Sequence, residues 1–154
     1  MKIRELMSKT VVRIHPEESV AVAARTLTHY NIGALPVCTA DGQLCGMVTD
    51  RDLVIRCLAS ARNPERTPVR DVMTKQLYCI GPDMEAEEAA RLMGKIQVRR
   101  LPVLENGRLC GMVSLGDLSD VPEAERILRK MSKNLSKKDE CASVEIDKKD
   151  STFL

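Results

Sequence analysis

Two short runs of the chain carry residue types that could hold a small polar ligand. Gly46-Met47-Val48-Thr49-Asp50-Arg51-Asp52 and Gly111-Met112-Val113-Ser114-Leu115-Gly116-Asp117 each set a hydroxyl residue between an apolar strand-like stretch and a helix-like one, with a carboxylate three residues on. A helix N-terminus presents free N–H groups and positive partial charge, so a phosphate is welcome there. A carboxylate one turn into the helix can accept two hydrogen bonds from a vicinal diol. The same residues have a purely structural use. Thr49 and Ser114 are good helix N-caps, and Asp52 and Asp117 in a first turn suit the helix dipole. Spacing alone leaves both uses open.

Other chemistry finds less support. The chain has no nucleophile–base pair and no Gly-rich phosphate loop, and His15 and His29 fall in no recognised motif, so an enzyme is not expected. Cys45 and Cys110 occupy equivalent strand positions and read as small core residues. With no Cys-x-x-Cys or His-x-x-x-His spacing, a zinc site would need ligands gathered by the fold. Arg99-Arg100 offers planar forks suited to phosphate oxygens, or two solvated side chains on a loop.

Composition narrows the partners. The 154 residues suit one domain or two very small ones. Apolar residues make up 44% and charged residues 30%, but Trp is absent and Phe occurs once, so aliphatic residues and eight Met must build the core. A net charge of +2, from 24 basic and 22 acidic residues, gives no field for a phosphate backbone, and the few aromatics give no stacking platform. No nucleic acid partner is expected. No stretch approaches the roughly 18 to 20 apolar residues needed to span a bilayer, and the N-terminus lacks a signal-peptide pattern. The expectation is therefore no membrane partner, a cytoplasmic location and six reduced Cys.

The elements that position these residues come from an internal repeat. Ile3-Arg4-Glu5-Leu6-Met7-Ser8-Lys9 recurs as Val69-Arg70-Asp71-Val72-Met73-Thr74-Lys75, an offset of 66. Leu35-Pro36-Val37 falls on Leu101-Pro102-Val103 with the same offset. One residue is then lost in a turn, and at offset 65 Leu44-Cys45-Gly46-Met47-Val48-Thr49 matches Leu109-Cys110-Gly111-Met112-Val113-Ser114. Each unit reads β-α-β-β-α. In the first, residues 10–14 form a β-branched strand ended by Pro16, and Ser19 caps a helix that Asn31-Ile32-Gly33 stops. Residues 34–39 and 43–49 form a hairpin, and residues 50–59 a second helix with Leu53, Val54, Cys57 and Leu58 on one face. Units of this size bury too little surface alone, so the copies are expected to pack together.

A tandem β-α-β-β-α unit, with Leu-Pro-Val opening the hairpin and Gly-x-apolar-Thr/Ser-x-x-Asp closing it, resembles the cystathionine-β-synthase (CBS) domain. The likeness runs from Ile3 to about residue 120, and extends to the stand-alone CBS-pair proteins of bacteria in Thr49-Asp50-Arg51-Asp52-Leu53 and Thr67-Pro68-Val69. It implies an α/β (α+β) fold of two repeats packed through their sheets with pseudo-twofold symmetry, a Bateman module. Residues 3–60 are then the first domain, 61–68 a linker and 69–120 the second domain. Residues 121–135 read as a further helix, and 136–154 as a disordered tail.

The resemblance also implies a site. Asp52 with Thr49, and Asp117 with Ser114, would grip ribose and contact phosphate. Thr10, Val12 and Tyr78 would line an adenine slot, Tyr78 either stacking on the base or blocking it. Gly33-Ala34 and Arg99-Arg100 stand at the other wall, with one of the paired arginines near phosphate, and Arg51 belongs to the first repeat's site where the second has Gly116. The expected function is regulatory sensing of an adenosine-containing nucleotide: AMP, ADP or ATP ahead of NAD, S-adenosylmethionine or a cyclic dinucleotide. No cofactor is implied. A homodimer would cover the apolar faces of helices 20–30 and 85–96, and an unidentified regulated protein would read the bound state. The alternatives are a metal- or thiol-responsive module, and a dimeric interaction scaffold without nucleotide.

Overall fold

The computed structural model describes residues 1–139, and side chains as far as Lys133. In the first repeat, α1 (Ile3–Leu6) precedes α2 (Val20–Tyr30), the hairpin β1 (Ala34–Cys38) and β2 (Leu44–Thr49), and α3 (Asp50–Asp52). In the second, α4 (Ala86–Ile96) precedes the hairpin β3 (Arg100–Glu105) and β4 (Arg108–Ser114), then α5 (Leu115–Ser119). A final helix, α6, spans Pro122–Asp139. The sequence explains the boundaries. The Ser19 side chain accepts from the Val22 N–H to open α2, and Asn31 in the left-handed region closes it. Asn106 and Gly107, both at positive φ, make the tight β3–β4 turn.

Two elements differ from the sequence expectation. The strand expected over residues 10–14 shrinks to a single bridge at Ile14, which donates to the Pro36 carbonyl (3.0 Å) and accepts from the Cys38 N–H (2.9 Å). Pro16, which has no N–H to add to a ladder, turns the chain away two residues later. Ile80 makes the matching bridge to Val103. The helix expected over residues 50–59 begins as α3 but continues as a π-helix over Leu53–Leu58. Its wider i→i+5 winding keeps Leu53 and Cys57 buried while Val54 and Leu58, expected beside them, turn to solvent.

The repeats exchange their leading segments. Ile3 is fully buried in the second repeat's core, among Ile80, Ala86, Met93, Leu101 and Val113. Val69, Val72 and Met73 complete the first repeat's core with Ile14, Leu27, Val37 and Val48. Ser8 pairs antiparallel with Met112, and Thr74 with Met47, so each leading segment edges the other repeat's hairpin. Two glycines permit the contact. A Cβ at Gly111 would lie 2.5 Å from Met7 Sδ, and one at Gly46 2.6 Å from Met73 Sδ. The connection between repeats is tied down as well: Val20 N–H donates to the Thr67 carbonyl at 2.8 Å, and Ala21 N–H to that of Pro64 at 3.0 Å.

The second repeat carries an extra layer. α6 lies against α4 and α5, burying Ala124 and setting Met131 over Gly94, where a side chain would clash. The α4 face expected to meet a second protomer is thereby covered by the chain's own helix. That helix continues past Leu135 as far as Asp139; the remaining tail residues, 140–154, lie outside the described residues.

Exchange of the leading segments makes a small deletion at the N-terminus a lesion in the second repeat. Ile3→Ala is expected to cost about 2–5 kcal/mol, as for other buried aliphatic truncations. Urea denaturation measures it, and a loss well under about 1 kcal/mol would contradict the packing of Ile3 described here.

Candidate functional site

Each hairpin ends where its second strand becomes a helix, and hydrogen bonds fix that junction. Asp50 N–H donates to the Gly33 carbonyl (3.1 Å) and Leu115 N–H to that of Arg99 (3.0 Å). Ala34 pairs with Thr49 and Arg100 with Ser114. The register thus brings Gly33 and Ala34 beside Asp50 and Thr49, and Arg99 and Arg100 beside Leu115 and Ser114, with Asp52 and Asp117 two or three residues further along. The wall residues and the capped helix starts are neighbours in both repeats.

Both helix starts are capping boxes. Thr49 N–H donates to Asp52 Oδ2 at 3.0 Å, and Asp52 N–H donates back to Thr49 Oγ1 at 3.1 Å. Ser114 N–H donates to Asp117 Oδ2 at 2.7 Å, and Asp117 N–H to Ser114 Oγ at 3.3 Å. Here the likeness ends. Asp52 is 8% exposed, with Thr74 Oγ1 3.4 Å from both its oxygens and Arg56 Nε 3.8 Å from Oδ1. Asp117 is half-buried and uses Oδ2 alone, taking a second bond from Ser114 Oγ at 2.7 Å. Its Oδ1 accepts no hydrogen bond among the described residues.

Arg51, Arg99 and Arg100 are exposed and make no ion pair among the described residues. Tyr78 is 59% exposed. Val12 packs half-buried against the first core, and Thr10 is exposed, its carbonyl accepting from Ser8 Oγ. No hydrogen bond joins Thr10, Val12 or Tyr78 to either carboxylate among the described residues. Thr74 and Arg56 were missed in the sequence. Arg56 stands four residues after Asp52, a visible helical ion-pair spacing, whereas Thr74 arrives only through the segment exchange.

Two cavities border these ends. One, of about 580 Å³, lies between α4, α5 and α6, with Met93, Val98, Leu115 and Leu128 in its wall and Arg99 among its polar lining. The other, of about 630 Å³, is lined by Arg56, Arg62, Arg70, Thr74 and Lys75. No helix among the described residues is long and apolar enough to cross a membrane. No three of His, Cys, Asp and Glu converge as a metal site among them.

Cys45 and Cys110 donate from Sγ to the Val37 and Val103 carbonyls, equivalent bonds in the two repeats. Burial pushes the thiols of Cys38, Cys45 and Cys110 above their ordinary range. The thiolate is the nucleophile, so a raised pKa leaves less of it at pH 8. Cys38, buried in the sheet, is therefore expected to alkylate far more slowly in native protein than in urea. A short iodoacetamide pulse read by peptide mass spectrometry checks this, and equal labelling in both states would overturn it.

The sequence profile of the CBS domain matches residues 3–58 and 69–124. The CBS domain-containing protein YhcV of Bacillus subtilis is 38% identical over 117 residues, 76% of this chain and 82% of that protein. Among solved structures, that of Hypoxic Response Protein I with two coordinated zinc ions superposes with a TM-score of 0.72 at 32% identity, covering 78% of this chain and 98% of that one. The CBS domain pair of protein MJ0100, in complex with 5′-methylthioadenosine and S-adenosyl-L-methionine, gives 0.68 at 25% identity, covering 81% and 98%.

Proposed function

The chain belongs to the CBS-domain family as a tandem pair, a regulatory ligand-binding module, and from that premise we propose that it senses an adenosine-containing nucleotide, AMP, ADP or ATP. One observation carries the reading: Asp117 keeps a free carboxylate oxygen at a helix start whose neighbours Arg99 and Arg100 are exposed and unpaired among the described residues. A carboxylate suits a ribose diol, and two guanidinium forks one strand-end away suit phosphate. MJ0100 shows that an adenosine-type ligand fits a CBS pair. In this chain the paired arginines favour an anionic phosphate over the cationic sulfonium of S-adenosylmethionine. The reading is one of binding rather than catalysis, in keeping with a regulatory CBS pair. The reading includes a cytoplasmic location, supported by five free thiols among the described Cys.

Sensing requires the bound and free states to differ in ligand affinity, so that binding shifts a population that a regulated protein can read. Excess ligand raises the melting temperature through the RT ln(1 + [L]/Kd) term. AMP, ADP or ATP should therefore raise it dose-dependently, and a flat melt across all three would overturn the proposal. Asp117→Asn, isosteric at the cap, should fold normally yet lose about tenfold to hundredfold in affinity as charged hydrogen bonds become neutral. Unchanged affinity would return Asp117 to capping alone.

The reading also includes a homodimer, formed through the first repeat. α2 packs beside the π-helical turn, and Tyr30, Val54, Ile55 and Leu58 are exposed there, Leu58 at 60%. Among the described residues, the second repeat's α4 packs instead against α6. Light scattering should give twice the 17.1 kDa chain mass, and Leu58→Glu the single-chain mass. A monomeric wild type at micromolar concentration would remove the dimer.

A further inference from the structure

We infer that each chain binds one nucleotide, at Asp117, because Arg56 fills the equivalent site at Asp52 from within. The inference rests on the adenosine-nucleotide reading and adds its stoichiometry. A ribose diol needs an acceptor that is exposed and unspent. Asp117, half-buried, keeps one oxygen, Oδ1, that accepts no hydrogen bond among the described residues. Asp52 offers none: Thr49 N–H, Thr74 Oγ1 and the Arg56 guanidinium already surround it, and little of it reaches solvent.

Arg56 is anchored at its other end. Its Nη1 donates to the Val72 carbonyl at 3.3 Å and the Met73 carbonyl at 3.0 Å. Both carbonyls belong to the segment that the second repeat lends to the first. A ligand entering at Asp52 must therefore strip a cation from the carboxylate and break bonds that hold the exchanged segment. The repeat supplies its own control. At offset 65 the counterpart of Arg56 is Val121, a buried residue with no side-chain donor. At offset 66 the counterpart of Thr74 is Ser8, whose Oγ turns to the Thr10 carbonyl at 3.3 Å. Two changes of residue type separate a plugged carboxylate from an open one. The π-helical winding marks the same place: Arg56 sits on the turn Leu53–Leu58, and π turns gather at functional sites.

Isothermal titration calorimetry with AMP on the full chain tests the plug. The wild type should bind one AMP per chain. Arg56→Val, which installs the second repeat's residue, should bind two, and adding Asp52→Asn should weaken the new site about tenfold or more. Should Arg56→Val unfold, Arg56→Met provides the same readout, because it keeps an apolar stem of similar length and brings no cation to the carboxylate. Two AMP per wild-type chain, or one per chain in the folded variants, would overturn the plug and leave the nucleotide reading standing. Binding by Arg56→Val but not by wild type would uphold the plug and overturn the assignment to Asp117. No binding to either protein would overturn both.

Discussion

The exchange of leading segments is the constraint on which the rest of the structure depends. Neither repeat owns a complete core: Ile3 closes the second and Val69, Val72 and Met73 close the first. Units this small bury too little surface for comfort alone, and lending a segment each way joins two marginal cores into one larger one. The contact is close because Gly46 and Gly111 leave room for Met73 and Met7, which fill irregular space through a flexible thioether. A side chain at either glycine would push the borrowed segment off the sheet edge it pairs with. The same pairing places Thr74 against Asp52, so the fold's cohesion and the chemistry of one site share a residue.

Duplication supplies two copies of one frame, and individual residues then set them apart. The capping boxes at Thr49 and Ser114 are built alike, yet Gly33-Ala34 faces one and Arg99-Arg100 the other. Arg56 becomes Val121, and a buried apolar residue stands where the first repeat has a cation bound to its carboxylate. The helical faces diverge in the same way. Gly94 admits Met131 and seats α6 on the second repeat, while the first repeat leaves Val54, Ile55 and Leu58 in solvent. One copy is packed against a helix of its own chain, and the other leaves these apolar side chains exposed.

Much of this was legible in the residues. Matching motifs at offsets 66 and 65 located both hairpins, and capping residue types located the Ser19 cap and the Asn31 stop, because local turn and capping chemistry decides those positions. The strand–helix junctions at Thr49 and Ser114 were legible for the same reason. What escaped is what depends on residues far apart in sequence. Periodicity cannot show that Ile3 packs in the other repeat, nor that residues 10–14 reach a sheet edge at Ile14 alone. An α-helical face drawn over Leu53, Val54, Cys57 and Leu58 assumes a winding that the chain does not keep. Arg56 was visible as a spacing, but its hold on the Val72 and Met73 carbonyls needs the exchanged segment in place.

These differences connect Asp117 to the rest of the second repeat. Asp117 lies in the first turn of α5, a helix of five residues anchored by the fully buried Leu118. α5 packs against both α4 and α6, and the cavity between the three helices takes Gly116 from α5 and Arg99 from the strand start. A group pulling on Asp117 and Arg99 thus acts on two walls of one cavity whose third wall is α6. So short a helix makes few hydrogen bonds of its own, so its place depends on packing against α4 and α6. In the first repeat the matching carboxylate is pinned by Thr74 and Arg56 to the exchanged segment, so the same pull would meet the core of the module. The two matching carboxylates are thus tied to different parts of the chain, Asp52 to the exchanged segment and Asp117 to the helix layer of its own repeat.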